Sequence, residues 1–283
     1  MTDVPAALSP PARLTPADHE LLLRLLDTPT AGPLETGDAG PAVSLWEAGR
    51  TYAAAAAQLG LRVLRHAPAE PGVLCGEDVP LIVREAARDE TFLARQPSLV
   101  LCLGPRLPQR DTVMFNVHLD TVAGWWPAHF DGRRFTGRGA IDAKGPAVAL
   151  LAGIRAARAA EPALGSRVGV LVQAVAGEEG GAMGTFGTRP LVEAGFTGGL
   201  NLFCEPTGHR LLPRSTASLT AVVRVEGEDA VDDRPEAGHN ATVLLGYVSH
   251  HHLDGDRAHH DGQQEAGEVD DPVPGGAPGP PSG

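Results

Sequence analysis

The chain has 283 residues, 42% of them hydrophobic and only 4% aromatic, with a formal net charge of −12. The apolar content suffices for one large domain or two ordinary ones, and the acidic balance, with no basic block interleaved with aromatics, argues against a nucleic-acid partner. Three widely spaced cysteines, Cys75, Cys102 and Cys204, speak against a disulfide framework or a zinc ribbon; no apolar leader and no membrane-length apolar run is visible, which predicts a cytoplasmic protein without a membrane partner.

In chain order, a Pro-rich lead over residues 1–14 gives way to Thr15-Pro16-Ala17-Asp18, a helix start with a capping hydroxyl, a first-turn proline and an acid. Leu21, Leu22, Leu25 and Leu26 form its apolar face, and Thr28-Pro29 ends it. Residues Ala31–Gly40 read as a loop, Pro41–Leu59 as a helix stopped by Gly60, and Leu61–Leu64 as a strand. Ser98–Gly104 and Asp111–Asp120 are apolar without alternation, which suits strands covered on both faces. Lys144–Ala160 is helical, with Pro146 tolerable in the first turn. Arg167–Ala176 and Gly199–Cys204 are two further strands.

The alternation predicts an α/β fold, a mostly parallel central sheet flanked by helices. Near residue 214 the texture changes. Ser218–Glu226 partly alternates, as a strand with one wet face does, and Pro235–His252 reads as a helix. Together they predict the start of a smaller α+β layer. From Asp254 onward glycine and proline dominate, and too little apolar surface remains to offset ordering entropy. The expected organisation is a catalytic metal-binding domain over 1–213, a partial lid or dimerisation domain over 214–253 and a disordered tail over 254–283.

Candidate chemistry sits at the ends of the strands, where open α/β sheets bind ligands. His118 and Asp120 close one strand and, two residues apart, point to the same side. His118 can hold a metal while Asp120 accepts its other ring N–H, or the pair can be a local hydrogen bond. Asp142 lies in the Gly-rich run Gly137–Gly145, where it can bridge two cations or simply cap the following helix. Lys144 can pair with it or lie on the surface. Glu178 and Glu179 follow the strongest strand; adjacent carboxylates face differently, so one can bind metal while the other takes a proton from water. They can equally be solvated loop acids. Glu205 is one more strand-end carboxylate, and Cys204 beside it reads as core.

The order of His118-Leu119-Asp120-Thr121-Val122, Gly137–Gly145, Gly177-Glu178-Glu179-Gly180-Gly181 and Cys204-Glu205-Pro206-Thr207 resembles the two-zinc metallopeptidases that include acetylornithine deacetylase, succinyl-diaminopimelate desuccinylase, aminoacylase and carboxypeptidase G. The resemblance implies that His118, Asp142, Glu179 and Glu205 bind metal, with Asp142 bridging. It makes Glu178 the general base and Asp120 the residue that orients His118, and it places a cis peptide at Asp142-Ala143. It further implies two divalent ions, zinc with cobalt and manganese sharing the ligand set, an N-acyl amino acid or small peptide as substrate, and homodimerisation in complete homologues. Two positions depart from the family pattern. Val231 stands where a lid histidine is expected, with His239 nearby, and no return segment brings a last histidine ligand. The histidines at 250–252, 259 and 260 read as adventitious binders. The expectation is therefore either an amide hydrolase or a truncated, metal-binding relative of one.

Overall fold

The computed structural model describes residues 12–37, 44–208, 210–214, 224–227, 238 and 240–247. The chain divides at Thr216/Ala217 into two units. In the second unit residues 218–223 of the expected wet-faced strand lie outside the described residues, as do Val231, His239, the later histidines and the tail, and 224–226 are described without strand structure. Part of the expected helix is present over residues 241–247, with the Asn240 side chain accepting from the amides of Thr242 and Val243.

The first unit runs in the order α1 (Pro16–Asp27), α2 (Pro33–Thr36), α3 (Leu45–Gln58), β1 (Leu61–Ala67), α4 (Leu81–Ala86), β2 (Ser98–Leu103), β3 (Thr112–His118), β4 (His129–Phe130), β5 (Phe135–Thr136), α5 (Lys144–Ala160), β6 (Gly169–Val175), α6 (Thr188–Glu193) and β7 (Leu200–Phe203). β4 and β5 form a small separate hairpin. The other strands make one sheet in the order β1-β2-β6-β3-β7, with β6, β3 and β7 parallel and β2 antiparallel to both of its neighbours. Every strand but β2 thus runs the same way, as a mostly parallel sheet requires.

The unbroken apolar character of the central strands reflects burial on both faces. Along β2, Leu99, Leu101 and Leu103 join the core that packs under α1, α3 and α5, while Val100 and Cys102 turn to the opposite face with Met114, Leu171 and Leu191. Period-2 geometry then places both sets on one strand without exposing either. That opposite face also holds a polar link. Asn116 Nδ2 donates to Gln173 Oε1 at 2.7 Å, and Gln173 Nε2 donates to the Phe196 carbonyl at 2.8 Å.

α1 begins as its sequence dictates. Thr15 and Asp18 form a reciprocal capping box, and Arg155 of α5 clamps the Asp18 carboxylate at 2.6 Å and 3.0 Å. Burial pushes the Asp18 carboxyl up, but the hydrogen bonds from Arg155 and Thr15 outweigh it and hold it below the usual range. Tyr52, fully buried in α3, donates its hydroxyl to the Ala147 carbonyl at 2.8 Å and ties α3 to α5.

The structure departs from the sequence reading in several places: α4, α6 and the β4–β5 hairpin have no counterpart in it, and the helix expected over 41–59 spans Leu45–Gln58. The predicted 31–40 loop contains the single-turn helix α2. β1 extends to Ala67. β3 ends at His118, so Asp120 stands in the loop beyond it. Among the described residues no helix is long and apolar enough to cross a membrane.

Candidate metal centre

The register of the sheet brings the site together. His118 pairs with Val175 at the end of β6, and Asn116 pairs with Phe203 at the end of β7. Because the three strands are parallel, the segments after them, with Asp120, Glu178-Glu179 and Glu205, emerge at one edge. The Leu119 amide donates to Val175 O and the Cys204 amide to Asn116 O, both at 2.9 Å, which extends this alignment one residue past the strands.

His118 is fully buried. Its Nε2 lies 2.8 Å from Asp142 Oδ1 and 3.9 Å from both Glu178 Oε2 and Glu205 Oε2. His118, Asp142 and Glu205 form one ligand group, and His118, Glu178 and Glu179 a second, each with donor atoms within 4.8 Å of one another. The six residues singled out in the sequence therefore meet at one place. The second group contains Glu178 as well as Glu179.

Asp120 takes a different position from the one its spacing suggests. The hydrogen-bond partner of His118 Nδ1 is the Asp120 backbone carbonyl at 3.0 Å, whereas the Asp120 carboxylate is 3.6 Å away. Asp120 Oδ2 instead accepts from three successive amides, Gly177 at 3.0 Å, Glu178 at 3.1 Å and Glu179 at 3.0 Å. Three convergent N–H groups make a strong anion cradle, and through it Asp120 holds the loop that carries both glutamates. Oδ1 of the same carboxylate is buried without a partner among the described residues. Gly177 permits this loop. Its φ is +73°, and a Cβ there would overlap the Phe186 ring.

Lys144 also differs from expectation. It neither pairs with Asp142 nor lies on the surface. It is 1% exposed, and Nζ donates to the carbonyls of Leu25 at 2.8 Å and Thr28 at 2.9 Å at the end of α1, the favourable place for a cation at a helix terminus. Burial lowers its pKa to about 8. Asp142 does not cap α5, whose N-cap is Ala143; the Asp142-Ala143 peptide is cis, as the family resemblance implies.

The electrostatics identify what the site lacks. Among the described residues no lysine or arginine pairs with Asp142, Glu178, Glu179 or Glu205. His118 is the one ion-pair partner of Asp142, Glu178 and Glu205 among the described residues. Burial followed by mutual repulsion pushes Glu178 and Glu205 up and Glu179 to about 7. Burial would lower the His118 pKa, but Asp120, Asp142 and Glu178 outweigh it and hold the imidazolium up at about 10. Carboxylates crowded at half-buried positions around one imidazole, with no protein cation to neutralise them, fit divalent metal ions in oxygen-and-nitrogen coordination. Cys204 stays out of this set. It packs against the main core, and burial, with the Glu205 charge adding to it, raises its thiol pKa to about 11.

Residues 114–247 match the model of Peptidase family M20/M25/M40. A protein of Aeropyrum pernix named as a LysW-lysine/LysW-ornithine hydrolase is 36% identical over 122 residues, covering 43% of this chain and 33% of its own. Among solved structures, an M20 family metallo-carboxypeptidase from Sulfolobus solfataricus aligns with a TM-score of 0.46 at 14% identity, over 67% of this chain and 37% of that one. Human carnosine dipeptidase 1 aligns with a TM-score of 0.40 at 24% identity, over 66% of this chain and 38% of that one. The chain thus spans little more than a third of the length of these relatives. The matched stretch, residues 114–247, is the one that holds His118, Asp120, Asp142, Glu178, Glu179 and Glu205, so the similarity to peptidase family M20/M25/M40 falls on the site itself.

Proposed function

We propose that this domain is the metal-dependent catalytic part of a hydrolase that cleaves the amide bond of N-acyl amino acids or small peptides. The observation that carries the reading is the meeting of four carboxylates on buried His118 with no lysine or arginine among the described residues to neutralise them. The family match and the name of the Aeropyrum relative, a LysW-lysine/LysW-ornithine hydrolase, support the same chemistry.

In this reading His118, Asp142, Glu179 and Glu205 are the residues that would hold divalent ions. Zinc fits the ligand set, as do cobalt and manganese. Ions bound there would supply Lewis acidity to the amide carbonyl and ease the ionisation of water. Glu178 takes the proton from the attacking water and returns it to the departing amine. Its pKa, raised first by burial and further by the neighbouring carboxylates, lies nearer neutrality than a free glutamate's and suits that exchange. Asp120 positions Glu178 and Glu179 through their backbone amides.

The test is hydrolysis of N-acetylornithine and simple dipeptides by the full chain with zinc, cobalt or manganese, beside Glu178→Gln. Turnover that needs metal and is lost in Glu178→Gln supports the reading; full activity in Glu178→Gln would falsify the assigned base. Metal occupancy without turnover on any of these substrates favours a metal-binding role alone.

A further inference from the structure

A cavity of about 170 Å³ opens between the end of α1, the segment after Asp120 and the Gly-rich run before α5. Its lining is unusual for so acidic a chain. It contains two cationic side chains, Arg138 and Lys144, and four threonines, but no aspartate or glutamate. Thr30, 1% exposed, is among the residues that line it, and its buried hydroxyl has no hydrogen-bond partner among the described residues. A buried hydroxyl left unpaired costs free energy unless something supplies its bond.

Arg138 is set up to take a ligand. Its Nε donates to the Gly124 carbonyl at 3.0 Å and its guanidinium lies 5.7 Å from the centre of the Trp126 ring. These contacts fix the plane of the group, and no acid among the described residues pairs with its terminal nitrogens. Lys144 uses two of its N–H groups on the carbonyls of Leu25 and Thr28 and likewise has no ion-pair partner among the described residues. Much of the remaining wall is apolar, with Leu26, Pro29, Ala31 and Trp125 among its residues.

We infer that this cavity binds a compact organic carboxylate, its anionic end on the Arg138 guanidinium and the Thr30 hydroxyl and its short apolar body against Leu26 and Trp125. With Nε engaged, the edge formed by the two terminal nitrogens of the planar guanidinium is left to match a carboxylate in bidentate fashion. At roughly 30 Å³ per water molecule the cavity has room for only a few non-hydrogen atoms beyond the carboxylate. The site is separate from the metal ligands in its residues and does not depend on the hydrolase reading.

Calorimetric titration of isovalerate into the chelator-treated full chain tests this, with isovaleramide and inorganic phosphate as the comparison ligands. Chelation removes any metal that a carboxylate could ligate, so failure of the metal centre and failure of this site are distinguishable. The expected result is saturable isovalerate binding, weakened about tenfold for neutral isovaleramide. Arg138→Gln, at a half-exposed position, should weaken isovalerate by a similar factor with an unchanged melting temperature. Arg138→Lys, which keeps the charge without the fork, should fall between, and Thr30→Val should cost about threefold. Absence of isovalerate binding, equal affinity for the amide, or undiminished affinity in Arg138→Gln overturns the inference. Tighter binding of phosphate would overturn the choice of carboxylate.

Discussion

Two acidic regions of this molecule sit in opposite electrostatic circumstances. Asp18, beneath α5, is enclosed by Arg155 and the Thr15 cap, and its carboxyl is held below the usual range. Asp142, Glu178, Glu179 and Glu205, at the end of the sheet, have one imidazole among them, and the three glutamates are pushed up. A carboxylate that the fold neutralises belongs to the fold. A cluster that the fold leaves unneutralised needs an outside cation, and it costs stability until one arrives.

The largest expected effect is on chemistry. Glu178→Gln should lower turnover on N-acyl amino acids by about 10²–10⁴-fold, the range of a lost general base, while metal content measured on the same sample stays close to that of the parent. A comparable loss of metal would make Glu178 a ligand first.

Metal-dependent stabilisation comes next. Ions present at a hundred times their dissociation constant should add about 2.7 kcal/mol of stability, and Asp142→Asn should abolish most of that gain. In chelator the sign should reverse, because removing one of the crowded charges relieves repulsion. Glu179→Gln should then melt higher than the parent without metal and lower with it. An equal loss under both conditions would mean that Glu179 is structural, as Asp18 is.

The pH dependences of the two regions should run in opposite directions. Asp18 has a depressed folded pKa, so its contribution is present above the unfolded value near ~3.9 and is lost as pH falls through the folded value. Asp18→Asn should cost about 1–3 kcal/mol at neutral pH, and the gap should close in strong acid. Glu179 has a folded pKa raised to about 7, so its contribution is present below about ~4.3 and is lost as pH rises through 7. Chelated protein should therefore lose part of its stability between about pH 4 and 7, and Glu179→Gln should flatten that slope. The smallest effect belongs to Tyr52→Phe, about 1 kcal/mol for one buried hydrogen bond, with no change in metal affinity.

The sequence was most informative where a short motif follows a strand. His118, Glu178-Glu179 and Glu205 are each adjacent to an apolar run, and parallel pairing alone carries them to one edge. α5 matches its reading from Lys144 to Ala160 because its first-turn proline and apolar face are local signals. Other features depend on distant partners. Lys144 reads as a neighbour of Asp142 because the carbonyls it meets lie more than a hundred residues earlier, at the end of α1. Asp120 reads as a partner of His118 because the amides it accepts from lie beyond β6. The reversed direction of β2 leaves no trace in a strand buried on both faces, and the single turn of α2 is too short for any periodicity, although Pro33 at its start is the kind of signal that marks one.

Central to the account is that the unneutralised cluster is built to collect divalent cations. Titration of zinc into chelator-treated protein, followed by calorimetry in buffers of differing ionisation enthalpy, tests this directly. The account predicts tight, saturable uptake with net proton release at pH 7, because the His118 imidazolium and the raised glutamates must give up protons to bind, and it predicts that Asp142→Asn with Glu205→Gln loses that uptake. Weak binding without proton release, or tight binding unchanged in that double variant, would contradict it.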